Sequence, residues 1–349
     1  MLPGMLRIVS TQADSVRPVP RTSETGSWQE AMRSAVRDPV RLCRLLGLPE
    51  QYHSGARRAA ELFPVFAPTG YVARMRPGDP RDPLLRQVLP LAEELNHAPE
   101  FRSDPVDDEA AEIMPGVLKK YNARALLVTT GACAVHCRYC FRRHYPYSAA
   151  PRGAQAWRPA VARIAADPSI HEVILSGGDP LTLVDEQLAR LTQMLAEVSH
   201  VKRLRIHTRL PIMIPQRVNP SLLAWLTGSR LTPLVVVHAN HPLELDASVG
   251  DALGRLLDAG VPLLNQAVLL RGVNDDEGTL ASLCERLVDL RVMPYYLHQL
   301  DRVSGAAHFE VPVVRGRELI RRLQARLPGY AVPRYVQEIA GESSKVPLA

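Results

Sequence analysis

From Arg124 onward, short apolar runs alternate with helical stretches, and this alternation restricts the fold more than any other feature of the 349-residue chain. The runs ALLVTT (125–130), EVILSGG (172–178), RLRIHT (203–208), LVVVHA (234–239), LLNQAVLL (263–270) and VMPYYLH (292–298) have strand length and strand composition. Between them lie helical stretches such as 185–198, 247–258 and 278–290. Six β–α units in series predict a parallel sheet with helices outside it. Right-handed crossovers curl such a sheet into a full or partial barrel. An open Rossmann-type sheet is the alternative, but no GxGxxG follows the first strand. The expected class is therefore α/β, a partial TIM-like barrel.

The flanks read differently. Residues 1 to about 26 are polar and Pro-containing, which predicts an extended or disordered start. Ser27-Trp28-Gln29-Glu30 has capping-box spacing and predicts a helix running to Leu46. Pro- and charge-rich sequence to about residue 110, including RPGDPRDPLL, predicts short helices and turns. The expected division is a helical and irregular N-terminal extension over 1–110, the barrel over 111–315, and a C-terminal helix and tail over 316–349. No run approaches the ~20 apolar residues that span a bilayer, and the N-terminus lacks the apolar stretch of a signal peptide, so the cytoplasm is expected. The net charge of +6 is spread along the chain without a basic block, which argues against nucleic acid as a partner.

A barrel of this kind carries its site at the C-terminal ends of its strands. Each polar cluster falls there: the cysteine loop after the first strand, SGGDP after the second, HTR, HANHP, RGVNDD and HQLD after the rest. The loop Cys133-Ala-Val-His-Cys137-Arg-Tyr-Cys140 places three thiols within eight residues. Three thiolates can hold three corners of a cubane cluster and leave the fourth iron open to a ligand. The competing reading is a zinc site completed by His136 or His144. Cys43 and Cys284 sit in apolar helical patterns and read as core residues.

The cysteine loop resembles the signature of the radical S-adenosylmethionine superfamily. That resemblance implies a partial (β/α)6 barrel, a [4Fe–4S] cluster on Cys133, Cys137 and Cys140, and S-adenosylmethionine chelating the open iron. An external electron donor would reduce the cluster. Ser176, Gly177, Gly178 and Asp179 resemble the superfamily's methionine-binding turn, and His238 and Gln266 resemble further contacts to that cofactor.

The ordered motifs CRYCFRR, SGGDP, HANHP, LLRGVND and PYYLHQLD, spanning about Tyr121 to Val346, resemble the lysine 2,3-aminomutases. The resemblance implies pyridoxal phosphate as a second cofactor, and a Schiff base needs a lysine. The chain has four: Lys119, Lys120, Lys202 and Lys345. The first three precede strands and are expected at the N-terminal rim, which leaves Lys345 in the tail. Lys345 also resembles the family's cofactor lysine, and Arg124 and Tyr121 match positions near the cofactor. Arg142 resembles the arginine that takes the substrate carboxylate, with Arg143 as its rival. Asp301 and Glu338 match acids that hold a substrate ammonium; glutamate stands at 338 where the free-lysine enzymes have aspartate. The implied reaction is a 1,2-amino shift from (S)-α-lysine to (R)-β-lysine. Arginine or glutamate as substrate, and a radical enzyme without pyridoxal phosphate, are the alternatives. Asp276 stands where the free-lysine enzymes place a zinc-ligating cysteine. The shortened architecture resembles the aminomutase that supplies β-lysine, through a ligase, for modification of elongation factor P.

Overall fold

The computed structural model describes residues 26–151 and 153–349; the expectation for the segment before Gly26 lies outside them. Ten strands form one sheet in sequential order. They are β1 (Glu112–Met114), β2 (Val117–Leu118), β3 (Arg124–Thr130), β4 (Glu172–Gly177), β5 (Arg203–Thr208), β6 (Thr232–Val237), β7 (Leu263–Val268), β8 (Met293–His298), β9 (Arg334–Gln337) and β10 (Val346–Pro347). Neighbours from β3 to β9 pair in parallel, and a helix lies between each consecutive pair. β1 and β2 add antiparallel strands at one end and β10 does so at the other. β10 does not meet β1, so the barrel is open.

Strands packed on both faces need near-continuous apolar sequence. β4 meets that requirement: Val173 and Leu175 have no exposure, and Ile174 is buried on the opposite face. The outer helices start where the sequence supplies caps. Asp246 accepts from Val249 N at 2.9 Å, and Asp276 accepts from Thr279 N at 2.9 Å. Asp276, at the position noted for a zinc ligand, is thus a helix cap.

Two sequence expectations need correction. The capping box at Ser27 is present, but its helix ends at Arg33. A second helix, Pro39–Leu45, starts under its own cap, Asp38, because proline fits the first turn of a helix and not its interior. At the other end, the segment read as a helix and tail over 316–349 also holds a seventh parallel strand, β9, which Glu338 follows. A four-residue strand after a long amphipathic helix leaves almost no periodic signal.

The N-terminal helices share one apolar core with the barrel: Trp28, Leu42 and Tyr71 belong to the same buried cluster as Leu127, Leu175 and Leu297. Cys43 and Cys284 are buried in it. Among the described residues no helix is long and apolar enough to cross a membrane.

Candidate active site

The strands of the open barrel enclose a cavity of about 530 Å³. Cys133, Cys137 and Cys140 line one part of it, all as free thiols. Burial pushes the Cys140 thiol up to about 11, with Cys137 raising it further. Burial, then Cys140, Asp179 and Cys137, raise Cys133 well above its ordinary range. Thiols so placed ionise only against a strong positive charge, which a metal centre supplies. The neighbouring histidines do not complete a zinc site. His136 Nδ1 lies 2.8 Å from the Pro64 carbonyl with its ring stacked on Phe63, and His144 faces the Ser304 carbonyl. Among the described residues no Cys, His, Asp and Glu side chains gather around a single-ion site. Three thiols without a fourth protein ligand suit a cluster with one open iron.

The loop is held from below by a buried polar network. Arg209 Nη1 donates to Cys137 Sγ at 2.9 Å and to Tyr139 Oη at 2.8 Å, while its Nη2 donates to Glu244 Oε2 at 2.6 Å. Asn240 of the HANHP motif joins the same network through Tyr139 Oη and Gln87 Oε1. Arg143 is part of the scaffold: it shares the buried Glu94 carboxylate with Arg138. Of the two arginines, Arg142 lines the cavity.

The glycine turn explains itself by close approach. Gly178 N donates to Thr130 O and Asp179 N to Ala132 O, stapling the end of β4 to the start of the cysteine loop. A Cβ on Gly178 would stand 2.3 Å from the Ala132 carbonyl oxygen; Gly177 also has φ of +112°. Gly178→Ala is therefore expected to displace the loop, lowering the iron bound per chain by at least half and stability by about 1–3 kcal/mol. Iron analysis beside denaturant unfolding checks it. Asp179 is held by the turn it belongs to. Its carboxylate accepts from Leu181 N, Thr208 Oγ1, Arg209 N and Leu210 N, so its lone pairs are taken by the protein. It shapes the turn.

His238 and Gln266 line the cavity as expected, and Ser176 lies 3.5 Å from Arg142 Nη1. His238 is joined by His207 and His298, which sequence reasoning passed over. Each has an Nε2 with no hydrogen-bond partner. Burial, with Arg209 adding to it, lowers His238 to about 3. Burial likewise takes His207 and His298 far below the usual imidazole range. These rings are neutral at physiological pH and offer hydrogen bonds to a ligand without adding charge.

The remaining charges gather beyond them. Arg142 Nε donates to Asp108 Oδ2 at 2.6 Å. Lys345 Nζ pairs with Glu338, to which Tyr121 also donates, and Arg124 lies over the Tyr121 ring at 4.7 Å. Lys120 overturns the expectation that it sits at the wrong rim: it lines this cavity, 2.8 Å from Asp108 Oδ1 and 3.5 Å from Glu338 Oε1. The loop before β3 folds inward over the open side of the barrel, which strand order alone does not indicate. Lys119 does stay outside, paired with Asp167. Asp301 is the exception among these charges. Its carboxylate has no hydrogen-bond or ion-pair partner among the described residues, and burial pushes its pKa up to about 7.

No family model matches the chain. Known relatives do. An L-lysine 2,3-aminomutase of Escherichia coli strain K12 is 45% identical over 328 residues, 94% of this chain and 96% of that one. An L-lysine 2,3-aminomutase of Haemophilus influenzae is 41% identical, over 93% of this chain and 96% of that one. The chain belongs to the L-lysine 2,3-aminomutase family. Members of this aminomutase family are isomerases of the radical S-adenosylmethionine class. Among solved structures, a radical SAM methyltransferase from Sphaerobacter thermophilus covers 63% of this chain and 68% of its own at a TM-score of 0.44 and 20% identity.

Within this aminomutase fold the sequence missed Asp108, Lys120, His207 and His298. Asp108 lies in the acidic run Asp104-Pro-Val-Asp-Asp-Glu109, which by itself marks a solvated turn. His207 and His298 did stand at strand ends on the list of polar clusters, and the alternation of β5, with Ile206 buried outward, is the signal that turns His207 inward.

Proposed function

We propose that this chain moves the α-amino group of lysine to its β-carbon, with a [4Fe–4S] cluster on Cys133, Cys137 and Cys140, S-adenosylmethionine at its open iron, and pyridoxal phosphate on Lys345. One observation carries the reading: three free thiols, a cavity lysine, an arginine and an unpartnered buried carboxylate converge on a single cavity. When bound, the cluster with S-adenosylmethionine supplies a carbon radical, and pyridoxal phosphate supplies a π system that stabilises an unpaired electron beside nitrogen.

The chain's own residues bind and orient. Arg142, held on its Nε side by Asp108, keeps guanidinium donors for the substrate carboxylate. Asp301 receives the distal ammonium of lysine, and Glu338 adds a second negative charge nearby. A cationic side chain suits this end, whereas glutamate would meet like charge. Arginine would also find acceptors here, so a side-by-side assay of lysine and arginine separates the two substrates. The neutral His207, His238 and His298 and the apolar wall exclude bulk water from the reacting atoms.

Use of the β-lysine for elongation factor P, through a separate ligase, is our further reading. Asp276 supports it, since this position caps a helix here instead of supplying a zinc-binding thiol. A cytoplasmic setting agrees with the free thiols.

The test is anaerobic: protein reconstituted with iron and sulfide, dithionite, S-adenosylmethionine, pyridoxal phosphate and lysine, with amino acids and nucleosides analysed. β-Lysine is expected from the native chain. Cys137→Ala should abolish both β-lysine and deoxyadenosine, and Lys345→Ala should lose at least about a thousandfold of β-lysine formation while still cleaving S-adenosylmethionine slowly. Deoxyadenosine without any β-amino acid from the native chain would favour a radical enzyme that works without pyridoxal phosphate.

A further inference from the structure

The cavity charges form one chain of alternating sign. Arg142 pairs with Asp108, Asp108 with Lys120, Lys120 with Glu338, and Glu338 with Lys345. Lys120 is the middle member. Its side chain is 19% exposed, and its ammonium is also fixed by the Val106 carbonyl at 2.8 Å.

The arrangement bears on a difficulty for Lys345. An ammonium has no lone pair, so Lys345 must shed a proton before it can attack an aldehyde. If Lys345 were the sole counterion of Glu338, that loss would strand a mostly buried carboxylate without a positive partner, a costly state. Lys120 removes the difficulty, because Glu338 stays paired whichever form Lys345 takes.

We propose that Lys120 is a positioning residue: it serves as the standing countercharge of Glu338 and thereby frees Lys345 to act as the nucleophilic amine. The inference rests on the reading that Lys345 carries pyridoxal phosphate. With pyridoxal phosphate bound, the Lys345 nitrogen would bond to the aldehyde carbon, the carbonyl oxygen would leave as water, and the ammonium proton would pass to solvent.

Other groups face Lys345. Glu338 stands on the β9 side, Tyr121 and Lys120 before β3, His207 on β5, and His298 and Asp301 at the end of β8. His207 and His298 are neutral throughout the useful pH range, and Arg124, Arg205 and Arg334 also line the cavity wall. Asp301 responds to the same substitutions, because burial and Glu338 push its carboxyl up while Lys345 and Lys120 pull it down, so each variant is also read in an Asp301→Asn background. In that background, removing Lys120 changes the charge around Glu338 and Lys345 alone.

The experiment reads the visible absorbance of the lysine–pyridoxal adduct against pH, in the reconstituted full chain without S-adenosylmethionine or lysine. Borohydride trapping and peptide mapping then locate the adduct. Lys120→Ala is expected to raise the midpoint of adduct formation by about one pH unit or more, because Glu338 then holds Lys345 alone. Lys120→Arg should stay within a few tenths of a unit of the native value, and Glu338→Gln should move the midpoint down. A residue that only supports the fold would lower the amount of adduct without moving its midpoint. An unchanged midpoint in Lys120→Ala, or an adduct trapped on Lys120, overturns the proposal. If the native chain forms no adduct at any pH, the pyridoxal reading itself fails and takes this inference with it. Should Lys120→Ala not fold, Lys120→Gln read against Lys120→Arg decides the same question.

Discussion

Asp301→Asn is expected to lower kcat/KM for lysine by about a thousandfold and, at pH 7.5, to raise the melting temperature. Removing one partner from a buried ion pair costs about 3–5 kcal/mol, and each 1.36 kcal/mol is a factor of ten in rate. The amide has the same shape but offers the substrate ammonium no charge. Stability moves the other way through proton linkage. An unfolded aspartate has a pKa near 3.8, whereas burial holds that of Asp301 up at about 7. Between those values the native state binds a proton that the unfolded state has lost, so the contribution of Asp301 to stability falls as pH rises through this window. Above pH 7 the native chain carries a buried, unpartnered charge that costs up to about 4 kcal/mol by the size of that shift. Asparagine carries no such charge. The same titration governs catalysis: only ionised Asp301 receives a cation, so native kcat/KM should climb as pH rises through about 7. The variant should show no such climb. Equal kcat/KM in both proteins would remove Asp301 from the substrate site.

The second large effect belongs to Asp179. Asp179→Ala is expected to cost about 3–5 kcal/mol of stability, because Thr208 Oγ1 and the backbone N–H groups of Leu181, Arg209 and Leu210 lose their acceptor together. The loss should also reach the metal centre. Asp179 holds the backbone of Arg209 in place, and Arg209 in turn touches Cys137. Denaturant unfolding should show a lower midpoint with an unchanged slope, and iron per chain should fall. Asp179→Asn, which keeps one carbonyl acceptor, should lie between the two. A fully stable Asp179→Ala protein that binds less S-adenosylmethionine would instead point to a direct role in cofactor binding.

Asp301 and Asp179 illustrate how differently two motif aspartates at strand ends can be used. In sequence each closes a polar cluster after a strand. Their packing separates them, since one is surrounded by donors and the other faces an open cavity.

The pattern of apolar residues along the chain was enough to establish the parallel α/β barrel, because strands packed on both faces and helices packed on one leave distinct periodicities. It also placed the three thiols, and it put Ser176, His238 and Asp301 at or near strand ends, where any barrel gathers its site, with Gln266 inside a strand. Tertiary structure alone decided which of those groups were free. Whether Asp179 or Asp301 is unpartnered, whether Arg142 or Arg143 reaches the cavity, and whether Lys120 lies inside or outside all depend on residues distant in sequence, such as Glu94, Asp108 and Glu338. The physical reason is that periodicity reports which face of an element is buried, while the state of a buried charge is set by its counterions, which the fold brings in from other elements.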